Sequence, residues 1–277
     1  MLQVSTTIAQ TYNFSNYNVA QGLEQSDVLS ISQANNGCLL YGTNGGGLGV
    51  YDGYSFKSIK EKHGLANNVV MSVTKDKDGN VWAATRNGIT ELNEYVTNVK
   101  KSYFIGKSFY YTYANPKNGD VWFGSAQGLF KYNLSLDSIE FYNTPNEILN
   151  GSFINCISSD VSQNLWVGTK NNGVFKIDRK NNVENYSTKN GLSSNYIKTI
   201  IEGKEGEVFV GSLDGLNLIV EDSITFIKLP KIEGSHLTFT SSSLYKDKLI
   251  FGALNKQLYL LDIETHKTEW ISQENGF

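Results

Sequence analysis

Leu165-Trp166-Val167-Gly168-Thr169 sets a large apolar residue beside a second apolar residue, a small one and a hydroxyl, and this phrase recurs along the chain. It reads Leu40-Tyr41-Gly42-Thr43, Trp82-Ala83-Ala84-Thr85, Trp122-Phe123-Gly124-Ser125, Phe209-Val210-Gly211-Ser212 and Ile250-Phe251-Gly252-Ala253. The small residue falls at 42, 84, 124, 168, 211 and 252, giving steps of 42, 40, 44, 43 and 41 residues. Six copies at so narrow a period are an internal repeat, and each unit must bury its faces against its neighbours.

In the fifth unit, residues 196–201, 208–212, 216–220 and 224–229 are rich in β-branched and aromatic side chains, and glycine-bearing turns divide them. Four short strands in about 40–44 residues make one blade of a β-propeller. Helical periodicity is nowhere sustained. The sequence therefore predicts an all-β fold, a β-propeller of four-stranded antiparallel blades with six complete repeats. Ten residues before each large apolar position lie Ser30, Ser72, Thr112, Cys156, Thr199 and Thr240, a small column suited to inner strands that converge on an axis. The large residue itself, tryptophan in three units, is expected to wedge between neighbouring blades.

Residues 12–19 align with a fourth, outer strand such as 54–60, so seven outer strands meet six inner ones. The chain ends at Asn275-Gly276-Phe277, which resembles the Gly64-Leu65 start of another unit. A seven-bladed ring is expected, with the N-terminal strand completing a last blade that this chain truncates. A six-bladed ring with a spare strand is the alternative. Residues 1–10 read as a tail, a remnant of a signal peptide with Ile8-Ala9-Gln10 near a cleavage point, and residues 11–277 as the propeller.

Of the 277 residues, 40% are hydrophobic and 18% charged, enough apolar material for a core. Three prolines against 26 glycines assign the turns to Gly and Asn. A net charge of -3 argues against a nucleic-acid partner, which would need a basic face. Arg86 and Arg179 are the whole arginine complement, so an arginine cluster is excluded. Cys38 and Cys156, far apart and in apolar surroundings, read as small core residues. No apolar run is long enough for a membrane helix.

Two segments resemble ligand loops and read better as turns. Gly45-Gly46-Gly47-Leu48-Gly49 lacks the Lys-Ser/Thr and helix of a phosphate loop and falls in register with the turns at Asn172-Gly173 and Asp214-Gly215. Asp76-Lys77-Asp78-Gly79-Asn80 begins like a calcium loop, but its twelfth position is Asn87 where a glutamate is required. His63, His236 and His266 have no metal-ligand spacing, and no nucleophile elbow is present. No catalytic residue, metal or cofactor is assigned.

A polar column stands at the start of each inner strand: Ser26, Asn68, Ser108, Ser152, Asn195 and His236. Beside it lie Asp27, Phe109, Phe153 and Tyr196. If the strands are innermost, these residues ring one mouth of a central channel. Hydroxyls and amides next to aromatic faces suit a sugar or peptide. The competing reading is that they cap loop backbone, as Ser and Asn commonly do.

Gly191-Leu192-Ser193-Ser194-Asn195, Glu202-Gly203-Lys204-Glu205-Gly206 and Val208-Phe209-Val210-Gly211-Ser212 together resemble the two-component regulator propeller repeat. The same order occurs around Gly64-Leu65, Asp78-Gly79-Asn80 and Val81-Trp82, and is weaker in the third and sixth units. The resemblance implies the periplasmic sensor region of a Bacteroidetes-type hybrid system or sensor histidine kinase. It implies a small ligand, in the best-known members an oligosaccharide, and partners in adjoining sensor domains or a second protomer. A kinase is then expected elsewhere in the full-length protein. The resemblance carries over no ligand-contacting residue. A non-catalytic scaffold that binds only proteins is the alternative, and a propeller lactonase or lyase fits least well.

Overall fold

A computed structural model describes residues 15–204, 206–229, 237–254 and 257–271. It contains six four-stranded antiparallel sheets, each built from four consecutive strands. Blade 1 is β1 (Val28–Gln33), β2 (Leu39–Thr43), β3 (Leu48–Tyr51) and β4 (Phe56–Ile59). Blade 2 is β5 (Val70–Lys75), β6 (Val81–Thr85), β7 (Gly88–Leu92) and β8 (Val99–Tyr103). Blade 3 is β9 (Phe109–Ala114), β10 (Val121–Ser125), β11 (Leu129–Asn133) and β12 (Ser138–Phe141). Blade 4 is β13 (Ile154–Ser159), β14 (Leu165–Thr169), β15 (Val174–Ile177) and β16 (Val183–Tyr186). Blade 5 is β17 (Ile197–Glu202), β18 (Glu207–Ser212), β19 (Gly215–Val220) and β20 (Ser223–Ile227). Blade 6 is β21 (Phe239–Tyr245), β22 (Lys248–Ala253), β23 (Gln257–Asp262) and β24 (Thr268–Ile271). The inner strands β1, β5, β9, β13, β17 and β21 pack on one another in that order, which places them around an axis.

The repeated phrase makes the interfaces. Its first residue packs forward on the next blade and its second packs backward. Leu40 meets Val81 and Ala83. Trp82 meets Phe109 and Phe123. Trp122 meets Ile154 and Val167. Trp166 meets Ile197 and Val210, and Phe209 meets Phe239 and Phe251. The small third residue is small because blades nearly touch there: a Cβ on Gly168 would stand 2.4 Å from Cys156 Sγ and 2.7 Å from an Ile197 methyl. Two indoles are also pinned. Trp82 Nε1 donates to Asp76 Oδ2 at 2.9 Å and Trp166 Nε1 donates to Asp160 Oδ2 at 2.8 Å. The calcium-like segment is thus the β5–β6 turn, and Asp76 also accepts from Asp78 N, Asn80 N and Asn80 Nδ2.

Strand pairing corrects the small column in two blades. Gly124 pairs with Tyr111, not Thr112, and Gly252 pairs with Ser241, not Thr240. The residue paired with the small position lies 12 residues before it in four blades, 13 in blade 3 and 11 in blade 6. Counting back from the tryptophan position therefore slips the register. The outer strand expected at 12–19 is corrected as well. Residues 12–14 lie outside the described set, 15–18 carry no strand, and Val19–Gln21 is a 3-10 turn.

That turn explains the Gly-Leu phrase. After Asn18, Lys60 and Ser187 a single 3-10 turn ends at Gly22, Gly64 and Gly191, with φ of 105°, 97° and 114°. This left-handed conformation suits glycine. The next residue, Leu23, Leu65 or Leu192, donates back to the residue before the turn and is buried.

An outer-strand tyrosine then fastens each of three blades to the next. Tyr103 OH donates to Asp137 Oδ1 at 2.9 Å and Tyr142 OH to Asn181 Oδ1 at 2.6 Å. Tyr186 OH donates to Asp222. Tyr17 holds the position of Tyr186 in its repeat, and its hydroxyl accepts from Tyr51 of blade 1 at 3.4 Å.

Among the described residues, five interface cores serve six blades, and none joins blade 6 to blade 1. On the backward face of blade 1, Ile31 is 68% exposed and Leu39 42%. On the forward face of blade 6, Ile250, Leu258 and Leu260 stay half-buried, while Leu249, Phe251, Tyr259 and Leu261 on the other face are fully buried.

Trp166→Ala is expected to destabilise the fold by about 3–5 kcal/mol, as large core truncations do, measured by urea unfolding. Lys101, Tyr103 and Tyr132 all donate to Asp137 and hold its carboxyl down at about 2. A depressed folded value means that its contribution is complete above the ordinary carboxylate range near ~3.9 and is lost as pH falls toward 2. Urea midpoints measured across that window should fall less steeply in Asp137→Asn than in the parent.

Candidate functional site: the channel mouth

Every inner strand skips one residue near its start as it pairs with the second strand. The skips lie between Val28 and Ser30, Val70 and Ser72, Ile154 and Cys156, Ile197 and Thr199, and Phe239 and Ser241. In blade 3, Gly124 pairs with Tyr111 and Ser125 with Phe109. The extra residues are Leu29, Met71, Tyr110, Asn155, Lys198 and Thr240. A bulge re-aims the side chain it carries. All six keep exposed surface, whereas Val70, Phe109, Ile154, Ile197 and Phe239 just before them are buried.

The ten residues singled out from sequence divide by role. Asn68 Oδ1 accepts from Glu61 N at 2.9 Å, and Asn195 Oδ1 accepts from Thr188 N at 2.8 Å. These amides cap the approach loops. Ser108 Oγ donates to Arg86 O at 2.7 Å, and the buried Ser152 Oγ accepts from Asn172 Nδ2 at 3.1 Å. Asp27 Oδ2 accepts from Asn44 Nδ2 at 2.8 Å, and Ser26 is exposed. Phe109 is fully buried among Phe104, Phe123 and Phe130, a core position rather than a mouth position. The one-residue slip in blade 3 accounts for its misplacement. His236 lies outside the described residues.

Phe153 and Tyr196 are half-buried at the mouth. The Phe153 ring lies 4.3 Å from that of Tyr110, and Lys170 Nζ stands 5.5 Å from its centroid. Lys198 Nζ stands 4.5 Å from the Tyr196 centroid and donates to its hydroxyl at 3.3 Å. Asn155 Nδ2 donates to Ile197 O at 2.8 Å and ties the inner strands of blades 4 and 5 together. The sequence reading missed Tyr110, Asn155, Lys170 and Lys198. The bulge residue follows the apolar start of the inner strand, and Lys170 follows the phrase itself. Both columns were open to inspection, but only pairing shows that they converge.

The glycine-rich segment is the β2–β3 turn: Gly45 N and Gly47 N donate to Asn68 O, and Thr43 Oγ1 donates to Gly47 O at 2.8 Å. Burial pushes the Cys156 thiol up, far from a reactive thiolate. His63 Nδ1 accepts from Lys60 N at 3.1 Å, and His266 Nε2 lies 3.3 Å from Glu207. Among the described residues no group of His, Cys, Asp or Glu is placed to hold a metal ion. Clefts of about 540, 790 and 710 Å³ lie between blades 2 and 3, 3 and 4, and 1 and 2, lined by the turns at the far end from the mouth.

Comparison with solved structures returns propellers of differing roles. A streptogramin B lyase superposes with a TM-score of 0.72 at 16% identity, over 91% of this chain and 84% of that one. The β-propeller domain of Cps50 (Swd1) from Myceliophteria thermophila gives 0.70 at 11% identity, over 91% and 87%. The extracellular domain assigned to a hybrid two component system of B. thetaiotaomicron gives 0.53 at 21% identity, over 92% of this chain but 31% of that one. Identities this low establish the fold alone. Comparison with curated protein sequences gives no match. The family described as "Two component regulator propeller" matches residues 64–87, which run from the Gly64-Leu65 approach through the indole-pinning turn and β6.

Proposed function

We propose that this chain is the extracytoplasmic, periplasmic input module of a two-component signalling protein. It recognises a small ligand of oligosaccharide type at the channel mouth, or relays a signal to adjoining sensor domains or a second protomer, and it is not itself an enzyme. The observation that carries this reading is the family match at residues 64–87. The mouth chemistry supports it, since the half-buried Phe153 and Tyr196 rings offer apolar faces to sugar C–H groups. The lyase likeness is weighed as fold only, because propellers host unrelated functions.

The ring is part of the same proposal. The forward face of blade 6 and the backward face of blade 1 carry the apolar chemistry that the five formed interfaces bury. Tyr17 already stands against blade 1, 5.4 Å from the Tyr51 ring and 5.7 Å from the Phe56 ring. A seventh blade beside Tyr17 would cover both faces.

A panel of oligosaccharides tested by calorimetry checks the first part. At least one is expected to bind, and Phe153→Ala is expected to weaken it about tenfold, roughly 1.4 kcal/mol, without lowering the melting temperature. Capture of a protein partner with no saccharide bound would favour the scaffold reading. Hydroxyl-radical footprinting checks the second part: Ile31, Leu39, Leu258 and Leu260 should label strongly in this chain and lose labelling in the full-length polypeptide.

A further inference from the structure

Most ion pairs of the molecule lie away from the mouth, the Lys60–Glu24 pair on the approach loops of blade 1 excepted. Lys100 holds Glu91 of β7, and Lys101, Lys131, Lys176, Lys204 and Lys248 each hold a carboxylate on an outer strand or a turn at the far end. At the mouth the pattern changes. Lys170 and Lys198 make no ion pair among the described residues, and their ammonium groups rest over the rings of Phe153 and Tyr196. Asp214, on the neighbouring turn, pairs with neither, and Asp27 is engaged by Asn44 across the ring.

Two further observations make this a shaped sector rather than two loose lysines. Lys198 is the bulge residue of β17, so its direction is set by strand pairing and not only by side-chain torsions. Asn155 is the bulge residue of β13 and hydrogen-bonds to the β17 backbone, which fixes the Phe153 side against the Tyr196 side. Tyr110, the bulge residue of β9, brings its ring from the third blade against Phe153, tilted by 39°. Three adjacent blades thus present aromatic rings, two of them with a lysine over the ring that no described carboxylate pairs.

We infer that the mouth sector of blades 3 to 5 binds a ring-shaped ligand that carries an anionic oxygen group, the group held by Lys170 and Lys198 and the ring laid against Phe153 and Tyr196. This rests on the reading of the mouth as the ligand site. An ammonium resting on an aromatic face is held less strongly than one hydrogen-bonded to a carboxylate, so an incoming anion draws it off the ring. The ring vacated on that side is then free to stack. A neutral sugar could use the rings alone and gains nothing from the lysines.

Cellobiouronate and cellobiose, titrated by calorimetry at low salt, separate the two. Cellobiouronate should bind at least tenfold more tightly, and the advantage should shrink in high salt. Lys170→Ala and Lys198→Ala should each reduce that advantage while leaving the melting temperature unchanged. Inorganic sulfate alone should bind weakly, since it brings no ring. Equal affinity for both disaccharides would overturn the anion assignment and leave the mouth as a sugar site. Failure of cellobiouronate to bind would overturn the inference itself. The wider oligosaccharide panel would then decide separately whether the mouth binds a ligand at all.

Discussion

The approach of neighbouring blades at the small residue of each repeat is the constraint on which the rest depends. Gly42, Gly124 and Gly211, like Gly168, have no room for a Cβ, and the atoms they meet include the first inner-strand residue of the next blade, Val70, Ile154 or Phe239. Because the backbones come so close there, the large residue two positions earlier lies flat between the sheets instead of propping them apart. The indole nitrogens of Trp82 and Trp166 are satisfied by an aspartate in the same hairpin. Interiors this tightly packed resist even one added methylene. The phrase of large, apolar, small and hydroxyl residues is therefore a packing instruction, and its recurrence sets the blade count and the angle between blades.

Much of the fold was legible for that reason. The period, the strands of the fifth unit, the wedge role of Trp82, Trp122 and Trp166, and the turn nature of Asp76–Asn80 all follow from a spacing that the interfaces demand. What could not be read was register in the two blades where the paired residue lies one position off the common spacing. Side chains alternate along a strand, so a one-residue slip moves a residue to the other face. Phe109 was placed at the mouth and lies in the core on that account. The same limit hid the site. Phe153 and Tyr196 were found because they stand beside a polar column, but Tyr110, Asn155 and Lys198 reach the mouth through a bulge. A bulge is a property of two strands together and leaves no mark in one.

Of the two readings of the polar column, the hydrogen bonds of Asn68 and Asn195 bear on the loop-capping one. Asn68 and Asn195 hold loop backbone through equivalent hydrogen bonds seven residues back. Their rigidity positions the neighbours that have free surface. The column is thus the support and the bulge residues are the presented surface. This division follows the repeat, since each blade needs its loop fixed but only some blades need a reactive or adhesive side chain. Blades 3 to 5 carry the aromatics and lysines, while blades 1 and 2 place Leu29 and Met71 at the equivalent positions.

Function has to be argued from that asymmetry rather than from the ring. A streptogramin B lyase and the Cps50 (Swd1) propeller both share the architecture over most of the chain. An enzyme of this shape needs a proton-transfer group within reach of a bound substrate. Here the two described histidines are committed to a turn backbone and to Glu207, and the Cys156 thiol is held neutral by burial. What blades 3 to 5 present instead is aromatic rings, ammonium groups and an amide tie between two strands. Those strands also form the blade-to-blade packing, so a ligand spanning blades 3 to 5 would bridge two interfaces at once.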